Sequence, residues 1–178
     1  KVPLGVFHPA MVYSTRAMLN YLEGINLAGK RVLDLGTGSG ILAIVCALRG
    51  AFVTASDINP LALEACRMNA DNNGATVTMA LSDLFDDLPN GHFDLIIINP
   101  PYYPADAEDM PERAWFCGSD FGYYHRLFGK NPLAERPMTE IVMVLGETAP
   151  VEAIMQTAQL YHQCSDKVAS SRHVGEWF

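Results

Sequence analysis

Positive charge is scarce in this chain: 12 lysines and arginines stand against 20 acids, for a formal net charge of −8 over 178 residues. A protein that holds nucleic acid unaided draws much of its affinity from phosphate contacts and needs a basic footprint. The balance therefore counts against DNA or RNA as the primary partner. Four acids crowded into one stretch (Asp106, Glu108, Asp109 and Glu112) strengthen that reading. Long apolar runs are absent too. None approaches the roughly 20 residues that span a bilayer, and the opening residues from Lys1 lack the basic, apolar, small-residue order of a secretory signal. Cysteine is sparse: Cys46, Cys66, Cys117 and Cys164 are widely separated and match neither a disulfide framework nor a zinc spacing. The histidines (His8, His92, His125, His162, His173) form no ligand cluster, so no metal is expected. These absences predict one soluble, cytoplasmic domain over 1–178, long enough for a single buried core, and the alternation of strand with helix patterns along it predicts the α/β class.

What is present is concentrated at the ends of apolar runs. The run Phe93-Asp94-Leu95-Ile96-Ile97-Ile98 leads directly into Asn99-Pro100-Pro101-Tyr102. Two prolines have no N–H to donate and fix φ, so the backbone there is stiff and its carbonyls are left to accept. The Asn adds a side-chain amide at the C-terminal edge of a buried strand, where open α/β sheets bind their ligands. Acceptors held rigidly beside an aromatic ring suit a planar –NH2 group. By itself the tetrapeptide reads equally as a proline-rich turn.

It has company upstream. Val32-Leu33-Asp34-Leu35-Gly36-Thr37-Gly38-Ser39-Gly40 followed by Ile41 to Leu48 reads as a strand, a glycine turn and a helix ending at Gly50. No Gly-Lys-Ser/Thr follows, which excludes a P-loop, and the third glycine comes one residue too early for the dinucleotide fingerprint. Asp34 ahead of the turn opposes a pyrophosphate and favours a cationic ligand. A second strand ends in Asp57, an acid able to accept from both ribose hydroxyls of an adenosine. Asn59 then caps a helix with Pro60 at its first position and Gly74 at its end. A third strand ends near Asp83. Three acids and an Asn at four strand ends line a pocket along one sheet edge.

Taken together, Asp34 to Gly40, Asp57, Asp83 and Asn99 to Tyr102 resemble the class I S-adenosylmethionine-dependent methyltransferases, and within them the HemK-like amino-group methylating branch. The resemblance covers roughly residues 8 to 147. It implies a Rossmann-like methyltransferase fold with a mostly parallel seven-stranded sheet, order 3-2-1-4-5-7-6, and helices on both faces. S-adenosylmethionine is the implied cofactor. Its methionine portion falls to Gly36, Thr37, Gly38 and Gly40 with Asp34, its ribose to Asp57 with Ile58, and its adenine to Asp83 with Leu84. Asn99 and the Pro100 carbonyl hold the acceptor nitrogen while Tyr102 stacks on it. A leading segment, 1–28, folds over the pocket and brings Tyr13 and Thr15 to the cofactor, with Ser14 as a helix cap. The acceptor is a protein side chain or small molecule. An N6-adenine or N2-guanine enzyme is the alternative, and a catalytically silent S-adenosylmethionine-binding scaffold is the alternative of another class.

Strands are expected near 31–35, 52–57, 76–81, 93–98 and 140–146, a helix near 150–162, and another strand from 167. Prolines 104, 111, 132 and 137 break up 103–139, a long irregular segment assigned to the substrate side. Trp115, Phe116, Phe121, Tyr123 and Tyr124 read as its wall or as core, with core favoured.

Overall fold

A continuous apolar strand needs cover on both faces, and Leu95–Ile98 has it: all four residues are fully buried. The computed structural model describes residues 2, 6, 13–88, 91–129 and 139–161, Tyr13 through its backbone alone. The elements in order are α1 (Tyr13–Glu23), β1 (Arg31–Leu35), α2 (Ile41–Leu48), β2 (Phe52–Asp57), α3 (Pro60–Asn72), β3 (Val77–Leu81), β4 (Leu95–Ile98), a 3-10 turn (Glu112–Ala114), α4 (Gly122–Gly129), β5 (Glu140–Met143) and α5 (Val151–Leu160). Every strand pairing is parallel, in the order β3-β2-β1-β4-β5. The chain starts in the middle of the sheet, winds out to β3, then returns to β4 and winds the other way. The reversal falls between β1 and β4, and a crevice at the strands' carboxyl ends is the consequence.

Alternation along the strands sorts the core into two layers. Val32, Val53, Ala55, Leu95 and Ile97 pack against Met18, Leu22, Leu42, Cys46 and Cys66. Leu33, Leu35, Ile96 and Ile98 face Leu84, Tyr124, Leu127 and Ile154 on the other side. Arg49 closes the end of α1, its guanidinium donating to the carbonyls of Leu22 at 2.6 Å and Ile25 at 2.7 Å. The Leu22 carbonyl also accepts the Ile25 amide at 2.9 Å, so backbone and guanidinium share the capping of the helix end. The expected cap of α3 is present, with Asn59 Oδ1 accepting the Leu61 amide at 3.0 Å and Pro60 in the first turn.

Four expectations need correction. The sheet has five strands among the described residues, not seven, and the expected strand from 167 lies outside them. The fourth strand begins at Leu95, two residues later than expected: the Asp94 backbone still bonds Arg31 and Glu140, but the Arg31 amide goes to the Asp94 carboxylate at 2.7 Å instead of to a backbone carbonyl. The fifth stops at Met143, three residues short of the expected 146. Ser14 does not cap α1: the helix already includes Tyr13, and Ser14 is buried in its first turn. Of the irregular segment expected over 103–139, residues 130–138 with Pro132 and Pro137 lie outside the described residues, and 103–129 is not a shapeless loop. Tyr103 bridges Phe116, the 3-10 turn follows, and α4 closes the segment.

Candidate active site

Register decides which turns meet. Leu35 pairs with Ser56 on one side and Ile98 on the other, and Asp57 pairs with Leu81. The glycine turn, Asp57, Ser82 and Asn99 therefore emerge together at one edge. A cavity of about 340 Å³ opens there, lined from all four strand ends, from Ser14 and Thr15 of α1, and from Tyr123 and Arg126 of α4. That volume lies within the range of small-ligand sites.

The turn is held by acids rather than left as a bare loop. Gly36 and Thr37 both donate their amides to the Ser56 carbonyl at 2.9 Å. Asp34 Oδ2 accepts the Thr37 hydroxyl at 2.7 Å and the Ala43 amide at 3.0 Å. Asp57 takes the Gly38 amide on Oδ2 and the Asn59 amide on Oδ1, each at 2.9 Å. Gly36 and Gly38 have φ of 77° and 55°, and a Cβ on either would meet no atom within 4 Å. Both line the cavity, so their missing side chains leave room that a ligand can fill.

Gly40 differs. Its φ is 88° and a Cβ there would collide with Cys66 Sγ, while Gly40 is not part of the cavity lining. The bare position lets α2 sit against α3 at Cys66.

Burial pushes the Asp34 carboxyl up to about 6, helped by the charge of Asp57 and opposed by the bonds from Thr37 and Ala43. Asp57 is raised as well, again by burial, against the amides of Asn59, Gly38 and Ile58. Two carboxylates under desolvation strain suit a ligand carrying positive charge.

Asp83 is already engaged. Arg126 Nη1 donates to its Oδ2 at 2.9 Å, and Nη2 reaches Asp86 Oδ2 at 3.2 Å. Leu84 beside it has φ 56°, unusual for a branched side chain, with its carbonyl held by the Ser82 hydroxyl at 2.9 Å.

On the other side of the crevice, Asn99 and Pro100 line the cavity. Asn99 is half-buried, and among the described residues no group bonds its side-chain amide. The Pro101 carbonyl, by contrast, accepts the Tyr124 hydroxyl at 2.9 Å. Tyr102 also lines the cavity, its ring 4.8 Å from that of Tyr103. Of the remaining aromatics, Trp115, Phe116 and Tyr123 line the cavity, while Tyr124 is fully buried and Phe121 packs against the core.

Thr37, Ile58, Asp83, Leu84 and Thr15 all line the cavity; Tyr13 opens α1, its side chain outside the described residues. Sequence reasoning missed Arg126 and the placement of Tyr123. Their only sequence signal is a three-residue spacing that shares one helix face.

A parallel sheet with a glycine turn and paired acids at its switch point defines a nucleoside-binding α/β class, here in the S-adenosylmethionine-dependent methyltransferase form. Residues 3–115 match the family model of the methyltransferase small domain, and the chain belongs to that family. The release factor glutamine methyltransferase of Chlorobaculum tepidum is 48% identical over 113 residues, covering 54% of this chain and 38% of that protein. The ribosomal protein L11 methyltransferase of Burkholderia mallei is 46% identical over 87 residues, covering 48% of this chain and 28% of that protein. The chain thus spans less than half the length of these curated relatives. The solved ribosomal protein L11 methylase of Lactobacillus delbrueckii subsp. bulgaricus shares the fold, with a TM-score of 0.68 over 94% of this chain and 77% of that one, at 24% identity. S-adenosylmethionine is the cofactor of this class, and the residues present fit it: a cradle at Gly36 and Gly38, and raised acids for its cationic end.

Proposed function

We propose that this protein is an S-adenosylmethionine-dependent N-methyltransferase acting on the planar amide nitrogen of a protein side chain, of the glutamine type. The observation that carries this reading is Asn99, half-buried, lining the same cavity as the glycine turn, its side-chain amide unbonded among the described residues. The names of the curated relatives, one a glutamine and one a ribosomal-protein methyltransferase, support a protein acceptor.

When bound, the cofactor supplies a methyl group activated by its positive sulfur. An amide nitrogen is a poor nucleophile because its lone pair is delocalised. Asn99 Oδ1 and the Pro100 carbonyl accept its two N–H bonds and hold the lone pair clear of that delocalisation. Tyr102 covers the flat face of the group. This is positioning and preorganised electrostatics, with no strong base required. Asp34 and Asp57 secure the glycine turn and the nucleoside sugar, and Asp83 and Leu84 the base. The segment 103–129 supplies the acceptor side through Tyr103, Met110, Trp115 and Phe116.

Acids near that mouth stay at the surface while bonding within their own segment: Asp106 accepts from Ser119, Asp109 from the Glu112 amide, and Glu112 from the Glu108 amide. A polyanionic acceptor still meets an acidic surface. The three described cysteines are free and buried, and no described helix is long and apolar enough to cross a membrane, which supports a reducing, cytoplasmic setting.

Labelled S-adenosylmethionine with a fractionated lysate tests the reading. Label is expected in the protein fraction and is lost with Asn99→Ala. Label in the RNA fraction transfers the chemistry to a nucleobase, and binding without any transfer leaves a silent scaffold.

A further inference from the structure

Helix α4 belongs to the segment assigned to the acceptor side, yet its polar residues stand at the opposite end of the cavity. Arg126 fastens the helix to the loop after β3 through Asp83 and Asp86. Tyr123, three residues earlier, occupies the same helix face and lines the cavity with Asp57, Ile58, Asp83 and Leu84. Its backbone is pinned by the Cys117 carbonyl at 2.9 Å, and Tyr124 meets its ring edge-on at 5.2 Å. The ring is therefore well placed before any ligand arrives. Among the described residues no group bonds its hydroxyl. Burial, then the charges of Asp57 and Asp83, push that hydroxyl well above the usual phenol range, so it stays a donor.

The acids supply acceptors only. An adenosine offers hydroxyl and amino hydrogens, which they can take, but also ring nitrogens and ether oxygens that need a donor. We propose that α4 is the nucleoside wall of the cofactor site, with the Tyr123 hydroxyl donating to the adenosine portion and Arg126 a positioning residue that holds Tyr123 and Asp83 together. This rests on the reading of the cavity as the S-adenosylmethionine site.

Calorimetry with S-adenosylhomocysteine and with 5′-methylthioadenosine, which lacks the amino-acid portion, tests it on the full chain. Tyr123→Phe is expected to weaken both ligands by the same factor, about 3- to 10-fold, the range of one neutral hydrogen bond. Thermal unfolding of the ligand-free variant should match the parent. Arg126→Gln should weaken both ligands too, with partial recovery in Arg126→Lys, which keeps the charge but loses the fork. Should Arg126→Gln unfold, Tyr123→Phe alone carries the test. Unchanged or tighter binding by Tyr123→Phe overturns the assignment, as does a loss confined to S-adenosylhomocysteine, which would put the contact at the amino-acid end. A parent protein that binds neither ligand overturns the methyltransferase reading itself, an outcome distinct from these.

Discussion

The hydroxyl of Tyr124 donates to the carbonyl of Pro101 at 2.9 Å, so the second proline of the Asn-Pro-Pro-Tyr run is fastened to α4 through the core. Both prolines line the cavity, and the Pro101 carbonyl is committed to Tyr124, which leaves the Pro100 carbonyl as the proposed acceptor. Tyr124→Phe leaves a partly buried carbonyl unpaired and should cost about 1–3 kcal/mol, measured by urea unfolding. Turnover should fall further than cofactor affinity does. Full activity in a destabilised variant would show that the acceptor site does not need this anchor.

Asn99→Ala should leave S-adenosylhomocysteine affinity nearly unchanged while methyl transfer drops by about 10²-fold or more, because its amide is assigned to the reacting nitrogen and matters most in the transition state. Isothermal calorimetry beside a radiolabel assay separates the two. A variant that loses affinity and rate in proportion would place Asn99 on the cofactor instead.

Asp34 makes the protein pH-sensitive in a definite direction. Its carboxyl titrates near 6 in the fold against an ordinary 3.8, so between those values the native state binds the extra proton. Stability of the ligand-free protein should therefore decline as pH rises from 4 to 6, then level off. Binding of the cationic cofactor has the opposite slope. Affinity should strengthen as pH rises through about 6 and below it fall by up to tenfold per unit, the slope of one linked proton. Asp34→Asn should flatten both profiles. Parallel profiles in parent and variant would assign the titration elsewhere.

Asp57 serves the loop and the ligand at once, since it holds the Gly38 amide while lining the cavity. Asp57→Ala should weaken cofactor binding by about 1.5–3 kcal/mol, the scale of hydrogen bonds to a charged group. Asp57→Asn retains acceptor capacity and should recover part of that. An equal loss in both would mean that charge, not acceptance, is what the ligand reads.

Gly40→Ala combines a left-handed φ with a collision against Cys66. A loss of about 1–3 kcal/mol is expected from strain and overpacking. Adding Cys66→Ala should relieve the collision with the sulfur and leave the backbone strain together with the 3.0 Å contacts to the Cα and Cβ of residue 66. No recovery in the double variant would show that the sulfur contributes nothing to the cost.

Local grammar explains what was legible. The Asn59-Pro60 cap, the span of β1 and the glycine turn rest on neighbours in sequence, and each falls where the residues place it. The four strand-end residues meet because parallel pairing in this winding order leaves them no alternative. Contacts across long separations were hidden. Asp83 reads as a solitary loop acid until Arg126, 43 residues away, is folded onto it. Asp34 reads as a ligand's counter-charge, but its acceptance from Thr37 and Ala43 also makes it a clasp for the turn. Gly40 reads as one more turn glycine because the sulfur it must clear belongs to another helix.

The buried thiols give the molecule built-in probes of its own opening. Cys66 sits beneath the glycine turn and Cys117 beside the aromatic mouth, both nearly inaccessible. A bulky alkylating reagent can reach either only while its end of the crevice is breached. In a Cys46→Ala, Cys164→Ser background, the two labelling rates time the two breaches separately. A nucleoside ligand should slow both reactions, Cys66 through the glycine turn and Cys117 through Tyr123, whereas an acceptor peptide should slow Cys117 alone, so order of substrate entry can be read without a single catalytic turnover.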